Sequence, residues 1–238
     1  MSKRLIDIVF SVAILVVAAP VVLAAMLLIW SYDHRSPIYW APRVGCGGRN
    51  FRMAKLRTMT VDADRIGGSS TSRSDGRITP PGRLLRRWKI DELPQFWNVL
   101  LGQMSLVGPR PNLRRGGVDI YTGEELRLLK ARPGVTDLAS IVFSDEADIL
   151  DGAADPDALY DRVIRPWKSR LGLLYLDRRT LWIDLRILVL TVLAISAKSA
   201  ALRGVDQILA EWNADETLRN VCRRQSALPW AAPPGRPA

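Results

Sequence analysis

Residues 89–111 read KIDELPQFWNVLLGQMSLVGPRP, and the rest of the chain is best understood outward from them. Two adjacent acids, Asp91 and Glu92, end a basic run. Arg77, Arg83, Arg86, Arg87 and Lys89 precede them with no carboxylate between. Arg110 follows in a corner between Pro109 and Pro111. Pro94 suits a first helical turn, where backbone N–H groups lack intrahelical partners. DELPQFWNVLLG therefore predicts a helix with Asp91 at or beside its N-cap and Gly102 as its stop. On that reading alone the acids only complement the helix dipole. The arginines favour a second reading. A helix start ringed by guanidinium groups suits phosphate and favours ionised carboxylates. An ionised Asp needs no base to act as a nucleophile. Two adjacent acids also suit Mg²⁺, a hard ion that keeps several waters and binds substrate phosphates. Phosphoryl transfer, which relies on positioning and charge neutralisation, fits these parts.

Independence from a base matters because His34 is the only histidine in 238 residues. A Ser-His-Asp triad, a Cys-His pair and a two-His metal site each need imidazole, so all three are disfavoured. Cys46 and Cys222 lack metal-ligand spacing and read as reduced thiols on the cytoplasmic side. The net charge of +10 asks for an anionic partner. Nucleic acid fits poorly: no standard recognition motif is present, and the acids at 91–92 and 145–161 repel phosphate.

Residues 5–30 form one apolar run, LIDIVFSVAILVVAAPVVLAAMLLIW. Lys3 and Arg4 flank it on one side; Arg35, Arg43, Arg49, Arg52, Lys55 and Arg57 flank it on the other. Positive flanks prefer the cytoplasm, and here both ends ask for the same side. Pro20 divides the run into pieces rising about 22 Å and about 15 Å. Each is short of a hydrocarbon core of roughly 30 Å. A bent helix that enters one leaflet and returns, broken at Pro20, and an ordinary span with a tolerated proline explain the run equally well. The bent form puts Asp7 near the interface and makes Trp30 and Tyr32 an aromatic anchor.

Further along, residues 36–61 predict a loop and then a strand, and residues 62–76 a mobile loop. Two short helices are expected in 81–101, with Trp97 in the core. Helices are also expected at 123–134 and 156–175. The acidic run from Ser144 to Asp161 reads by default as a solvated face or loop. LWIDLRILVLTVLAI, 181–195, is a core or interfacial helix; its Asp184 needs a partner, for which Arg186 or Arg178 is available. Residues 205–224 resemble an amphipathic helix, and SALPWAAPPGRPA has the composition of a disordered tail.

KIDELPQFWNVLLGQMSLVGPRP, KLRTM, RITPPGRLLRRW, RPGVT and the N-terminal KRLID with Pro20 together resemble the bacterial sugar transferases. These are the monotopic phosphoglycosyl transferases that act on polyprenyl phosphate. The resemblance runs from about Lys3 to Ile195 and implies the small, single-domain form. It implies transfer of a sugar-1-phosphate from a UDP-sugar to undecaprenyl phosphate, initiating exopolysaccharide, O-antigen or glycoprotein glycan synthesis. By the same resemblance, Asp91 attacks the phosphorus nearer the sugar and releases UMP. The lipid phosphate then attacks the phospho-aspartyl intermediate. Glu92 belongs with Asp91 to the catalytic dyad and its Mg²⁺ environment. Arg86 and Arg110 contact phosphate, and Lys55 and Arg57 of KLRTM join that basic site. The alternative is a membrane-tethered scaffold of a glycan-assembly complex that has lost activity; the intact Asp91–Glu92 pair argues against it.

The expected fold is α+β and mainly helical. A re-entrant membrane helix hairpin (1–34) precedes a small catalytic domain (35–200) with interfacial amphipathic helices. A C-terminal helix and tail follow (201–238). The expected location is the cytoplasmic face of the bacterial inner membrane, in contact with its lipids. Two departures stand out. PGVTDLAS at 133–140 replaces the family's PGITG-x-AQ, so Asp137 stands for Gly and Ser140 for Gln. Ala19-Pro20 replaces the frequent Ser-Pro, and Ala cannot re-bond freed backbone groups within a membrane.

Overall fold

The computed structural model describes residues 2–66, 68 and 70–236. Gly67 and Ser69 of the 62–76 loop, and Pro237 and Ala238 of the tail, lie outside the described residues. The chain is mainly helical with two small sheets.

The first element is α1 (Ser2–Asp33), which continues through Pro20 as one helix. The break into two helices expected there is not seen. Buried Asp7, Ser11, Ala25 and Ile29 and half-buried Ala18 and Val22 recur at helical spacing, so a single stripe of α1 is covered. Both ends of that stripe meet the rest of the chain. At the start, Arg4 donates to the carbonyls of Val99 (2.6 Å) and Leu100 (2.8 Å). Asp7 accepts from the Ser105 hydroxyl (2.9 Å) and the Leu106 N–H (3.1 Å). Asp7 is therefore a buried joint between α1 and the chain at Ser105–Leu106. At the far end, Ala25 and Ile29 pack with Leu56 and Leu85. Each large aliphatic side chain fully buried in this way contributes about 1.5–3 kcal/mol.

Two antiparallel strands follow, β1 (Ile38–Val44) and β2 (Asn50–Leu56), joined through a Gly-rich turn at Cys46–Gly48. The first strand lies where a loop was expected. Pro42 within it removes one donor, a feature tolerated at a sheet edge. After the short α2 (Ala63–Ile66) comes α3 (Pro80–Arg87), capped by the Thr79 hydroxyl on the Gly82 N–H. A Cβ at Gly82 would lie 2.0 Å from the Thr58 carbonyl, so only glycine lets α3 close on the end of β2. A 3₁₀ turn (Ile90–Glu92) leads to α4 (Gln95–Leu100), and Gly102, at φ +76°, stops it as expected. Trp97 is half exposed on α4, not in the core.

Strands β3 (Ser105–Val107) and β4 (Gly134–Thr136) form a parallel pair. Gly108 and Gly134 abut at its end. A Cβ on Gly134 would meet Gly108 N at 2.2 Å, and one on Gly108 would meet the Arg132 carbonyl at 2.5 Å. Their closeness fixes the Gly-Pro-Arg-Pro corner against RPGVT. The segment between the strands carries a 3₁₀ helix (Glu125–Lys130) in place of the α-helix expected there. Glu125, fully buried, accepts from Arg165 (2.8 Å) and Ser169 (2.7 Å).

The remaining helices are α5 (Leu138–Val142), α6 (Glu146–Ile149), α7 (Pro156–Leu159), α8 (Arg165–Arg178), α9 (Leu181–Ser196), α10 (Lys198–Glu211) and α11 (Glu216–Arg223). A π-helical turn (Tyr160–Ile164) joins α7 to α8. The amphipathic helix expected at 205–224 is divided near Asn213, at φ 53°. The core is continuous across residue 200: Leu138, Ile141 and Leu171 share it with Ala201, Val205 and Leu209. The acidic run is not merely a solvated face. Asp148 pairs with Arg73 (3.1 Å), Asp151 accepts from Ser74 N (2.9 Å), and Asp157 accepts from Ser70 N (2.8 Å). It thereby holds the 62–76 segment. The tail, where composition suggested disorder, lies on α8: Trp167 donates to Pro229 (3.0 Å) and Arg170 to Ala232 (2.9 Å).

Asp184 is buried, as its place in an apolar helix demands, but its partner is neither Arg186 nor Arg178. Lys3 Nζ and the Tyr175 hydroxyl (2.6 Å) satisfy it. Arg186 pairs with Glu211 instead.

Candidate active site

The two acids lie on the 3₁₀ turn between α3 and α4. Asp91 is not the N-cap of α4; Pro94 takes that position and makes no side-chain cap. The chain turns sharply into the acids because Lys89 adopts a left-handed conformation, φ 56° and ψ 20°. That region is disfavoured for any residue with a Cβ. Neither backbone pattern nor charge signalled this feature in the sequence.

Lys55 reaches the acids from β2. Its Nζ lies 3.1 Å from Glu92 Oε1 and 3.9 Å from Asp91 Oδ2. Its place is set by Asn98, whose amide donates to the Arg52 carbonyl (2.8 Å) while its oxygen accepts from Ala54 N (2.8 Å). Asn98 thus staples α4 to β2. No local pattern in the sequence marks this role for Asn98, because Arg52 and Ala54 lie more than forty positions away.

Arg110 approaches from the Gly-Pro-Arg-Pro corner. Its Nη2 donates to Glu92 Oε1 at 2.8 Å, and its Nη1 donates to the Val135 carbonyl and to Gln95 Oε1 (3.3 Å). Its backbone N–H donates to Asp137 Oδ2 at 3.3 Å. Asp137 also caps α5 through the Ser140 N–H (2.6 Å), so one of the two departures from the family pattern touches the site directly. Ser140 enters through its backbone.

Arg86 stands on the last turn of α3 and donates from Nε to the Thr58 hydroxyl at 2.9 Å. Burial lowers its proton affinity, and the negative charge of Asp91 acts against that shift. Arg57 is not brought to the site. Its guanidinium donates two hydrogen bonds to the Asp33 carboxylate (2.6 and 2.7 Å) and one to the Ser36 carbonyl (2.7 Å). It ties the end of α1 to the end of β2. Pro20 is likewise remote from the acids, inside α1.

Asp91 and Glu92 differ in electrostatic state. Burial raises the Asp91 pKa; Lys55 opposes the rise and the charge on Glu92 adds to it. Burial acts upward on Glu92 as well, but Arg110, Lys55 and Lys89 together hold its carboxyl well below the usual range. Two adjacent carboxylates pushed apart in this way take different roles. Glu92 is an ionised anchor for the basic side chains. Asp91, only 6% exposed, accepts no hydrogen bond from the described residues. The Gln95 side-chain nitrogen, beside them in sequence, is buried without a partner among the described residues.

A family model described as bacterial sugar transferase matches residues 1–198, which include every residue of this cluster. Over 199 residues the chain is 37% identical to the undecaprenyl-phosphate glucose phosphotransferase of Komagataeibacter xylinus; the match covers 81% of this chain and 35% of that protein. It is 34% identical over 195 residues to the UDP-glucose:undecaprenyl-phosphate glucose-1-phosphate transferase of Caulobacter vibrioides, covering 81% and 68%. It is 33% identical over 196 residues to the UDP-N-acetylgalactosamine-undecaprenyl-phosphate N-acetylgalactosaminephosphotransferase of Aeromonas hydrophila, covering 81% and 43%. The chain therefore spans less than half the length of the first and third of these relatives. With a family match that takes in the acids, the basic residues around them and α1, this chain belongs to the bacterial sugar transferase family.

Proposed function

We propose that this protein transfers a sugar-1-phosphate from a UDP-sugar to undecaprenyl phosphate, through a phospho-aspartyl intermediate on Asp91, as the first step of a surface glycan. The observation that carries the reading is the buried Asp91 carboxylate, free of hydrogen bonds from the described residues, beside a Glu92 whose charge is already balanced by Lys55 and Arg110.

An ionised Asp91 oxygen attacks the phosphorus bonded to the sugar. The bond from that phosphorus to the bridging oxygen breaks, and its electron pair leaves with UMP. An oxygen of the lipid phosphate then attacks the same phosphorus, and Asp91 departs as carboxylate. Both nucleophiles are anions, so neither step requires the imidazole that the chain lacks near its acids. Arg86, Arg110, Lys55 and the Gln95 amide neutralise and orient phosphate oxygens. Mg²⁺ fits this donor set, because the Asp91 carboxylate accepts no hydrogen bond from the described residues and only one oxygen of Glu92 is engaged. Those two residues would hold it, and it would supply further charge neutralisation on the phosphates.

A lipid acceptor agrees with α1. The side chains of Val16, Val17, Leu23 and Leu27 are more than 60% exposed, yet both ends of the helix are bonded to the same folded unit. Monotopic attachment at the cytoplasmic face accommodates both facts; a span would part the two ends by a bilayer. Outward-facing Trp182, Leu185, Val189 and Val192 on α9 suit an interfacial helix. The relatives' names differ in the sugar, glucose in two and N-acetylgalactosamine in one. The test is a panel of UDP-sugars, each incubated with undecaprenyl phosphate and protein in nanodiscs, with UMP release measured. Rapidly quenched, active protein should carry the mass of one sugar phosphate on Asp91. Turnover without that adduct, undiminished in Asp91→Asn, would overturn the mechanism.

A further inference from the structure

Arg43 has no part in the machinery above, yet its surroundings are those of an anion site. In β1, Tyr39, Ala41 and Arg43 share one face, opposite Lys55, Met53 and Phe51 of β2. Lys55 on that face is already at the acids. Arg43 lies four residues along the strand from the Lys55 row, about 14 Å at the usual rise. The next residue, Val44, donates its N–H to the Asn112 carbonyl at 2.9 Å, which sets this end of β1 against the corner carrying Arg110.

The acids of this strand face and of the adjoining corner are engaged with other partners. Asp64 accepts from the Tyr39 hydroxyl at 2.7 Å. Glu92 is held by Lys55 and Arg110, and Asp137 by two backbone N–H groups. Arg43 makes no ion pair among the described residues, and its one hydrogen bond is to the carbonyl of its neighbour Pro42 (2.9 Å). Burial lowers its proton affinity. Among the charges around it, Tyr39, Asp64 and Tyr160 act the other way, while Arg110 adds to the lowering. A half-buried guanidinium within reach of a second positive charge, with no acid of its own, is electrostatically costly until an anion sits beside it.

We infer that Arg43 binds the phosphate of the departing nucleoside monophosphate. This rests on the function proposed above and divides the basic residues in two. Lys55 and Arg86 face the phosphate that is transferred; Arg43 faces the one that leaves. When the bond from the transferred phosphorus to the bridging oxygen breaks, the negative charge that develops on the leaving phosphate falls beside Arg43.

The test uses full-length protein in nanodiscs and UMP as the probe. Arg43→Gln should raise the inhibition constant for UMP about tenfold or more, the loss expected for a charge-assisted phosphate contact. Arg43→Lys should recover part of it. A purely structural role would lower kcat and the thermal midpoint together and leave UMP inhibition unchanged. UMP inhibition within twofold of wild type in Arg43→Gln overturns the inference. Absence of UMP release by the wild-type protein from every UDP-sugar would instead overturn the function, and direct UMP binding to wild type and Arg43→Gln, followed by calorimetry, would still decide the role of Arg43.

Discussion

The Nη2 of Arg110 lies 2.8 Å from Oε1 of Glu92, and Lys55 reaches that same oxygen from β2 at 3.1 Å. One acid therefore absorbs the positive charge of two side chains while its neighbour, Asp91, keeps an uncommitted carboxylate. The division of roles follows from elements remote in sequence that converge on a three-residue turn.

That convergence sets a pH dependence. In the proposed mechanism Asp91 is ionised when it attacks, and burial raises its pKa, so the rate should climb with pH through a limb above the ordinary carboxylate range. Glu92 adds to the rise and Lys55 opposes it. Glu92→Gln should move the limb to lower pH, and Lys55→Met should move it higher. Rate profiles of UMP release between about pH 4 and 8 distinguish the two directions.

Stability follows the opposite sign. A carboxyl whose folded pKa is raised favours the folded state below that pKa and loses the benefit as pH rises through it. Asp91 thus makes the fold less stable once ionised. Asp91→Asn should abolish turnover yet leave thermal stability at pH 7 equal to or above wild type, with a flatter dependence on pH. Midpoints measured across that range provide the check.

Lys89 offers a separate test of strain beside the acids. Its left-handed backbone costs a residue with a Cβ about 1 kcal/mol, a cost glycine avoids. Lys89→Gly should be more stable than Lys89→Ala by about that amount, although both lose the same charge. Denaturant melts of the two variants give the difference directly. Equal stabilities would show that the turn is not strained.

What the sequence could show depended on range. The stop at Gly102 and the adjacency of Asp91 and Glu92 rest on signals within a few residues, and these were legible. The partners of Lys3, Asp7 and Asn98 lie 181, 98 and 44 positions away, where no periodicity reports them. Arg57 misled because an arginine adjoining a basic motif looks the same whether it faces phosphate or Asp33. Asp184 announced its need for a partner but not its identity. The strand at 38–44 was hidden by Pro42 and by a burial pattern too irregular to alternate cleanly.

The Lys3–Asp184–Tyr175 cluster should be the main polar tie between α1 and the rest of the fold. Asp184→Ala would leave the buried Tyr175 hydroxyl and the Lys3 ammonium without their acceptor, at about 2–4 kcal/mol. Arg186→Ala, which breaks an exposed pair with Glu211, should cost less than about 1 kcal/mol. Thermal unfolding in detergent compares them. The result would separate a joint that holds the apolar helix α1 in place from a surface contact made by the same helix α9.

Asp137 is the departure from the family pattern that most directly changes the site, and its two functions can be separated. Its Oδ1 caps α5 through Ser140 N, and its negative charge sits near Arg110, holding that guanidinium's proton more firmly. Asp137→Asn keeps a capping oxygen and removes the charge. Stability should stay within about 0.5 kcal/mol, since Asn and Asp cap comparably. The site gains one net positive charge, so the KM for UDP-sugar should fall several-fold, with a stronger response to salt. Asp137→Gly, the family residue, gives the same gain in charge but loses the cap, a loss of a few tenths of a kcal/mol where glycine serves as the N-cap. The two variants should therefore share a KM and differ slightly in melting. A KM unchanged in both would mean that Asp137 only shapes the loop and that its charge does not reach the donor.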